Sequence, residues 1–243
     1  MKKILINIIC FGIVLLIGIW IGNKGIKLLW GEAESTLVAS TIKDENSNIE
    51  DLFGNYKSEE GFDITSSEIM FAIEGDIELT VGKFKKFDID LEMANKLSSS
   101  KISVSIDVGS IFTDNSKRDG HLLDEDFFDS ENYPQITFNS VSIKPSHIGD
   151  DCYKYISTGK LSMLGTQKDI DIKFNYKGSS KNKNGQDIAI FDGSFNFDRT
   201  QYGMSVAESV GNQVKVNFYT ELLKQDNKAQ IEKLNEEVDE FDF

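Results

Sequence analysis

From Phe62 to Leu222, apolar residues recur at every second position, and this constrains the chain more than any other feature. Side chains on a strand point alternately to opposite faces, so period two marks strands with one buried face. Ile69, Phe71 and Ile73 form the first run, and Phe87, Ile89, Leu91 and Met93 the second. Ile102, Val104, Ile106 and Val108 alternate with Ser and Asp. Ile136 and Phe138 follow, then Tyr153 and Tyr155 running on to Leu161 and Met163. Ile170, Ile172, Phe174 and Tyr176 come next, then Phe191, Phe195 and Phe197 around Gly193. Val214, Val216 and Phe218 close the series. Pro145–Asp151 and Lys177–Gly185 read as turn-rich separators. The pattern predicts eight strands. No long helical pattern lies between them, so parallel crossovers are not expected. The expected fold class is all-β, an eight-stranded antiparallel β-barrel, because closure removes exposed edges.

At this strand number the interior just holds one ligand. Alternation places Phe71, Phe84, Phe87, Ile89, Val104, Ile106, Phe138, Met163, Phe174, Phe195 and Phe218 on the inner face. Such residues either fill the barrel as core or line a ligand cavity, and periodicity alone favours the core. The strand pattern breaks at Ser110–Tyr133, which packs Arg118, Asp119, His121, Leu122, Phe127 and Phe128 into one long connection. A long aromatic loop inside a compact domain is usually functional. Leu122, Phe127 and Phe128 are placed to close one end of the barrel.

The net charge of −14 argues against nucleic acid as a partner, because phosphate binding needs clustered Lys and Arg. That charge is uneven. Residues 1–30 hold four Lys and no acid, while the remaining 213 residues carry 22 basic and 40 acidic groups. Lys2 and Lys3 precede an apolar run, Ile4–Gly22, of 19 residues. As a helix this run spans about 28 Å, close to the bilayer hydrocarbon thickness. Trp20 and Trp30 lie near its far end, where amphipathic rings favour the interface. The expectation is an N-terminal transmembrane helix over 1–30, with a cleaved signal sequence as the alternative. The domain is expected outside the cytoplasm, in a periplasm or at a cell surface. Residues 31–60 read as a polar tether, 61–223 as the barrel domain and 224–243 as an acidic, weakly helical tail. Cys10 and Cys152 cannot readily meet, so no intrachain disulfide is expected.

Catalytic chemistry finds little support. His121 and His147 are the two histidines, too few for a convergent zinc site with the residues around them. The acids between Asp114 and Asp126 do not follow the spacing of a calcium hand. There is no phosphate loop and no G-x-S-x-G elbow. Asp198 and Arg199 read as a strand-end turn. Arg118, Asp119 and His121 read as groups whose buried hydrogen bonds fix the loop against the barrel, with Arg118 the best candidate for a ligand headgroup because a guanidinium fork suits phosphate. No enzyme activity and no cofactor are expected.

The stretch Ile106-Asp107-Val108-Gly109-Ser110-Ile111-Phe112-Thr113-Asp114-Asn115, followed by Arg118-Asp119-Gly120-His121-Leu122, Asp126-Phe127-Phe128-Asp129 and Tyr133-Pro134-Gln135-Ile136-Thr137-Phe138, resembles the YceI-like family. Gly159–Gly165, Phe197–Met204 and Val210–Val214 add weaker matches, and the resemblance spans roughly residues 60–223. The family consists of lipocalin-like, polyisoprenoid-binding barrels. The resemblance implies an eight-stranded barrel around a long apolar channel in an exported bacterial protein. It implies an isoprenoid ligand such as a polyprenyl phosphate or a quinone-like lipid, and it moves the inner residues from core towards ligand lining. The expected function is binding and sequestration or transport of that lipid near the membrane. The alternative is a non-catalytic interaction module with a filled barrel. The oligomeric state, a homodimer included, stays open.

Overall fold

The computed structural model describes residues 37, 39–42, 48–61, 66–76, 78–146, 153–204 and 209–225. The expected anchor over 1–30, the tail beyond Gln225, Cys10, Cys152 and His147 lie outside the described residues. Among the described residues, no helix is long and apolar enough to cross a membrane.

Among the described residues, eleven strand segments and one α-helix make the fold. They are β1 (Gly54–Ser58), β2 (Glu68–Gly75), β3 (Leu79–Phe84), β4 (Phe87–Met93), β5 (Lys101–Asp107), β6 (Ile111–Phe112), α1 (Ser116–Leu123), β7 (Gln135–Pro145), β8 (Tyr155–Met163), β9 (Thr166–Lys181), β10 (Asp187–Asp198) and β11 (Val210–Lys224). The circuit β1-β4-β5-β7-β8-β9-β10-β11 returns to β1, giving a closed eight-stranded antiparallel barrel. β2, β3 and β6 extend the wall from β11 along the other half of the barrel. The all-β barrel class therefore stands, with a different set of eight strands in the closed circuit.

Three differences from the sequence reading have clear physical causes. β1 was expected within a polar tether. It holds a single inward ring, Tyr56, too little to register as periodicity, and backbone pairing on both edges holds it: Gly54 opposite Met93, and Tyr56 opposite Lys224. Second, β9 continues to Lys181 through the Gly- and Ser-rich run expected as a turn, because β10 pairs with it as far as Asp187 opposite Lys181. Third, Ser110–Tyr133 is not a loop throughout but contains β6 and α1. The Asn115 side chain accepts a hydrogen bond from the Arg118 N–H at 3.1 Å, which starts the helix. Gly120 in its interior and its short apolar face weaken the helical signal.

The burial follows the alternation most cleanly in β4, where Phe87, Ile89, Leu91 and Met93 are buried and the acids between them exposed. β8 and β9 are joined by Leu164-Gly165, both at positive φ (52° and 68°). A two-residue turn of that hand matches the twist of the flanking strands. The core lies along the barrel axis in two clusters. One surrounds Ile49, Tyr56, Leu91, Ile143 and Leu222, and the other surrounds Phe84, Ile136, Phe138, Met163 and Tyr202.

Candidate ligand-binding cavity

The inner faces of the strands do not meet fully. They enclose a cavity of about 450 Å³, within the size range of small-molecule sites. Alternate positions supply its wall: Val214, Val216, Phe218, Thr220 and Leu222 from β11, and Ser157, Leu161 and Met163 from β8. In β7 the inner positions change parity, from Ile136 and Phe138 to Ile143, because a bulge shifts the register between Ser140 and Ser142.

Of the residues read as inward or end-closing, Phe71, Phe84, Ile89, Val104, Ile106, Phe138, Met163, Phe174, Phe195 and Phe218 line this cavity, as do Arg118, Leu122, Phe127 and Phe128. Phe87 does not. It is buried at the first residue of β4, opposite Ile106, and packs as core. The sequence reading missed several wall residues. Ile49 was hidden in the supposed tether. Ser157 has the correct phase on β8, but a search for apolar positions passes over it. Arg199 was read as part of a turn only.

The two ends differ. At one, Ile49, Ile143, Ser157 and Leu222 are all buried, so the cavity is closed there. Residues Ile49–Asp51 form a 3-10 turn whose cap Asn48 accepts a hydrogen bond from Tyr155 Oη at 3.2 Å. At the other end, Arg118 and His121 line the cavity and also reach solvent, which marks the mouth. Phe128 stands edge-on to Phe84 (6.2 Å between centroids), and Phe84 lies 5.6 Å from Phe71. Aromatic surface thus runs from the mouth into the interior.

The polar groups of the mouth are engaged with one another. Arg118 donates from Nε to Thr113 Oγ1 and from Nη2 to the Thr113 carbonyl, both at 2.8 Å, and its Nη1 lies 3.4 Å from Glu78 Oε1. Asp119 Oδ1 accepts from the Thr113 N–H at 2.8 Å and from its hydroxyl at 2.6 Å. Both residues therefore fix the loop, as expected. His121 is instead exposed, with Nδ1 3.3 Å from Asp124 Oδ2 and its ring edge-on to Phe127. Arg199 is buried and donates to three carbonyls: Gly211 from Nε, Val210 from Nη2 and Met204 from Nη1. It ties the Arg199–Tyr202 turn to β11. Hydrogen bonds from the Thr200 hydroxyl and N–H hold the Asp198 carboxyl below the usual carboxylate range.

A model of the YceI-like domain matches residues 61–222, well over half of the chain. This protein belongs to the YceI-like family. A UPF0312 protein of Staphylococcus epidermidis is 33% identical over 154 residues, covering 61% of this chain and 84% of its own length. A Pseudomonas putida UPF0312 protein is 29% identical over 145 residues, covering 59% and 73%. Among solved structures, the YceI protein of Campylobacter jejuni is 26% identical, with a TM-score of 0.50, covering 60% of this chain and 85% of its own. Two others share the fold at lower identity. BcnA of Burkholderia cenocepacia is 24% identical with a TM-score of 0.55, covering 68% of this chain and all of its own. A polyisoprenoid binding domain from Saccharophagus degradans is 14% identical with a TM-score of 0.53, covering 72% of this chain and all of its own. The YceI match begins at residue 61, so Ile49 and β1 are additions to the matched span that nonetheless close the cavity and the barrel circuit.

Proposed function

We propose that this YceI-like protein binds and sequesters a long-chain isoprenoid lipid inside its barrel, and that residues 1–30 hold it at a membrane with the barrel outside the cytoplasm. The observation that carries this reading is the nearly wholly apolar cavity of about 450 Å³ with one closed end and one aromatic mouth. An isoprenoid tail offers methyl-bearing surface and almost no hydrogen-bonding groups, so it suits a dry tube. Burial contributes about 0.8 kcal/mol per CH₂. Ten buried carbons then contribute on the order of 8 kcal/mol before the ligand's lost freedom is subtracted. The solved polyisoprenoid binding domain with the same fold supports that ligand class.

The action is reversible capture rather than catalysis. Arg118, Asp119 and Arg199 are occupied in holding the loops, and none is positioned as a nucleophile with its base. The tail enters past Leu122, Phe127 and Phe128, and the anchor keeps the mouth near the bilayer.

The test is native mass spectrometry of the purified protein, with organic extraction of whatever co-purifies. An isoprenoid ladder or a quinone supports the reading. An empty protein that takes up no added polyprenyl lipid overturns it in favour of an interaction module.

A further inference from the structure

Between β9 and β10 the hydrogen-bonded wall of the barrel is incomplete. The two strands pair from Lys181 opposite Asp187 as far as Lys173 opposite Ser194, and there the pairing ends. Both strands continue. β9 runs on through residues 166–172, held along its other edge by β8, and β10 runs on through 195–198, held by β11. Among the described residues, no hydrogen bond or ion pair joins these two stretches.

The side chains follow the same division. Where the strands are paired, Asp192 of β10 is bridged to β9 by Asn175 Nδ2 at 2.9 Å and by Lys177 Nζ at 3.3 Å. Past the last pair, the outward acids of β9 turn to β8 instead: Asp171 accepts from Thr158 Oγ1 at 2.6 Å and Asp169 from Lys160 Nζ at 2.9 Å. On the inner face, Phe174 and Phe191 of the paired part are 3% and 5% exposed, whereas Ile170, Ile172, Phe195 and Phe197 beyond it are only half-buried. Ile172, Phe195 and Phe197 line the cavity, and the two Phe rings stack with centroids 6.2 Å apart. The slit between the strands is therefore apolar on its inner side and flanked outside by the exposed Asp169, Asp171 and Asn196. Strand edges left unpaired need water or a partner for their N–H and C=O groups. β7 also outruns β5, beyond Asn139, but there the 3-10 turn Leu97–Ser99 packs against it and Ser140 Oγ accepts from the Ile102 N–H at 2.7 Å.

The chain leading from residues 1–30 is bound to this same wall. Ser180 Oγ of β9 donates to the Thr41 carbonyl at 2.6 Å, and Glu221 of β11 accepts from Ser40. Ser40 lies ten residues past Trp30, a reach of at most roughly 35 Å when fully extended.

We infer that the slit between β9 and β10 is a side port for hydrocarbon chains, through which a chain longer than the cavity passes between Ile172 and Phe195 without being threaded end-first. This rests on the lipid-binding reading and adds a path to it. A short tail fits the cavity of about 450 Å³ from the mouth alone. A long tail meets the closed end, and its remaining length crosses the wall at the slit. An anchor at 1–30 draws the wall that carries the slit towards the bilayer from which such a chain comes.

The test closes the slit from outside. In the full-length protein with Cys10→Ser and Cys152→Ser, Asp171→Cys and Asn196→Cys are joined by a short, reducible bis-maleimide. By extension of the β9–β10 register these positions face each other across the slit. The control joins Lys173→Cys to Ser194→Cys, the last pair already hydrogen-bonded. Uptake of two radiolabelled prenols, one of three isoprene units and one of eleven, is followed from phosphatidylcholine vesicles. Closing the slit should slow uptake of the long prenol about tenfold or more, since a chain must then wait for its end to be threaded, and leave the short prenol within about twofold. Reduction of the linker should restore the long prenol, and the control linker should change neither. Long-prenol uptake at the parent rate with the slit closed, an equal loss for both prenols, or the same selective loss in the control overturns the inference. Failure of the unlinked parent to take up either prenol overturns the lipid-binding reading itself.

Discussion

Ser40 and Glu221 are joined by two hydrogen bonds across 181 residues: the Ser40 N–H donates to Oε1 at 2.6 Å and its hydroxyl to Oε2 at 2.7 Å. Thr220 and Leu222 line the cavity, so Glu221 between them points to the outer face of β11. It is nevertheless 3% exposed. Tyr219 Oη also donates to it, at 3.0 Å, and burial together with that carboxylate pushes the phenol well above its ordinary pKa. A stretch before the YceI match is therefore stapled to the last strand through one carboxylate.

Glu221→Ala should destabilise the barrel by roughly 3 kcal/mol, since several donors lose a charged acceptor at once. Ser40→Ala, which keeps the backbone donor, should cost only about 1 kcal/mol. Urea unfolding of the two variants checks the ratio. Equal, negligible effects would show that the staple contributes nothing.

Gly193 and Gly120 should respond to alanine in opposite directions. At Gly193 a methyl would sit 2.5 Å from the Lys173 carbonyl oxygen and collide with the Phe218 ring, which occupies the space the glycine leaves. Overpacking there should cost roughly 1–3 kcal/mol and reduce uptake of an apolar dye. At Gly120, inside α1, a methyl meets nothing within 4 Å. Gly120→Ala should stabilise by about 0.5–1 kcal/mol. Thermal melts of both, with dye titrations, decide the matter.

Val104 and Phe138 stand opposite each other on β5 and β7 with both side chains on the cavity wall. A carboxylate at either place would have no partner in an apolar interior. Val104→Asp and Phe138→Asp should each cost roughly 3–5 kcal/mol or abolish lipid uptake. Circular dichroism with dye binding separates the two results. Unchanged stability and uptake in both variants would show the inner face to be misassigned.

Asp198 makes stability depend on pH at the acid limb. Its carboxyl is held low by hydrogen bonds from Thr200, so the ionised form is favoured in the folded state. That contribution is present above the usual carboxylate range of about pH 4 and is lost as pH falls through the depressed value. Asp198→Asn should therefore lower the urea midpoint at pH 7, and the gap to the parent should narrow below about pH 4. A gap independent of pH would assign the loss to shape rather than charge.

The barrel was largely legible because its evidence is local. In β4, β5, β8 and β11 each inward residue is followed by an outward one, and a half-buried strand allows no other order. The same logic placed Val104, Phe138, Phe174 and Phe218 on the cavity wall. It failed where the signal is not periodic. β1 is held by backbone pairs on both edges, which any sequence can make. The phase change in β7 comes from a bulge, which alternation reads as noise. Ser157 carries the correct phase, but its chemistry does not announce burial.

What the sequence determined by itself is the strand class, the inner face and membership of the YceI-like family, since each rests on residue types at short, regular spacings. The tertiary structure decided which strands close the circuit, that Arg118 is tied to Thr113 and Glu78, and which end of the cavity is shut. It also decided that the inner residues leave a space, whereas Phe87 packs as core. These depend on contacts between segments far apart in the chain, such as Asn48 with Tyr155 and Ser40 with Glu221, and on volumes summed around the whole barrel. No short stretch of sequence contains either quantity.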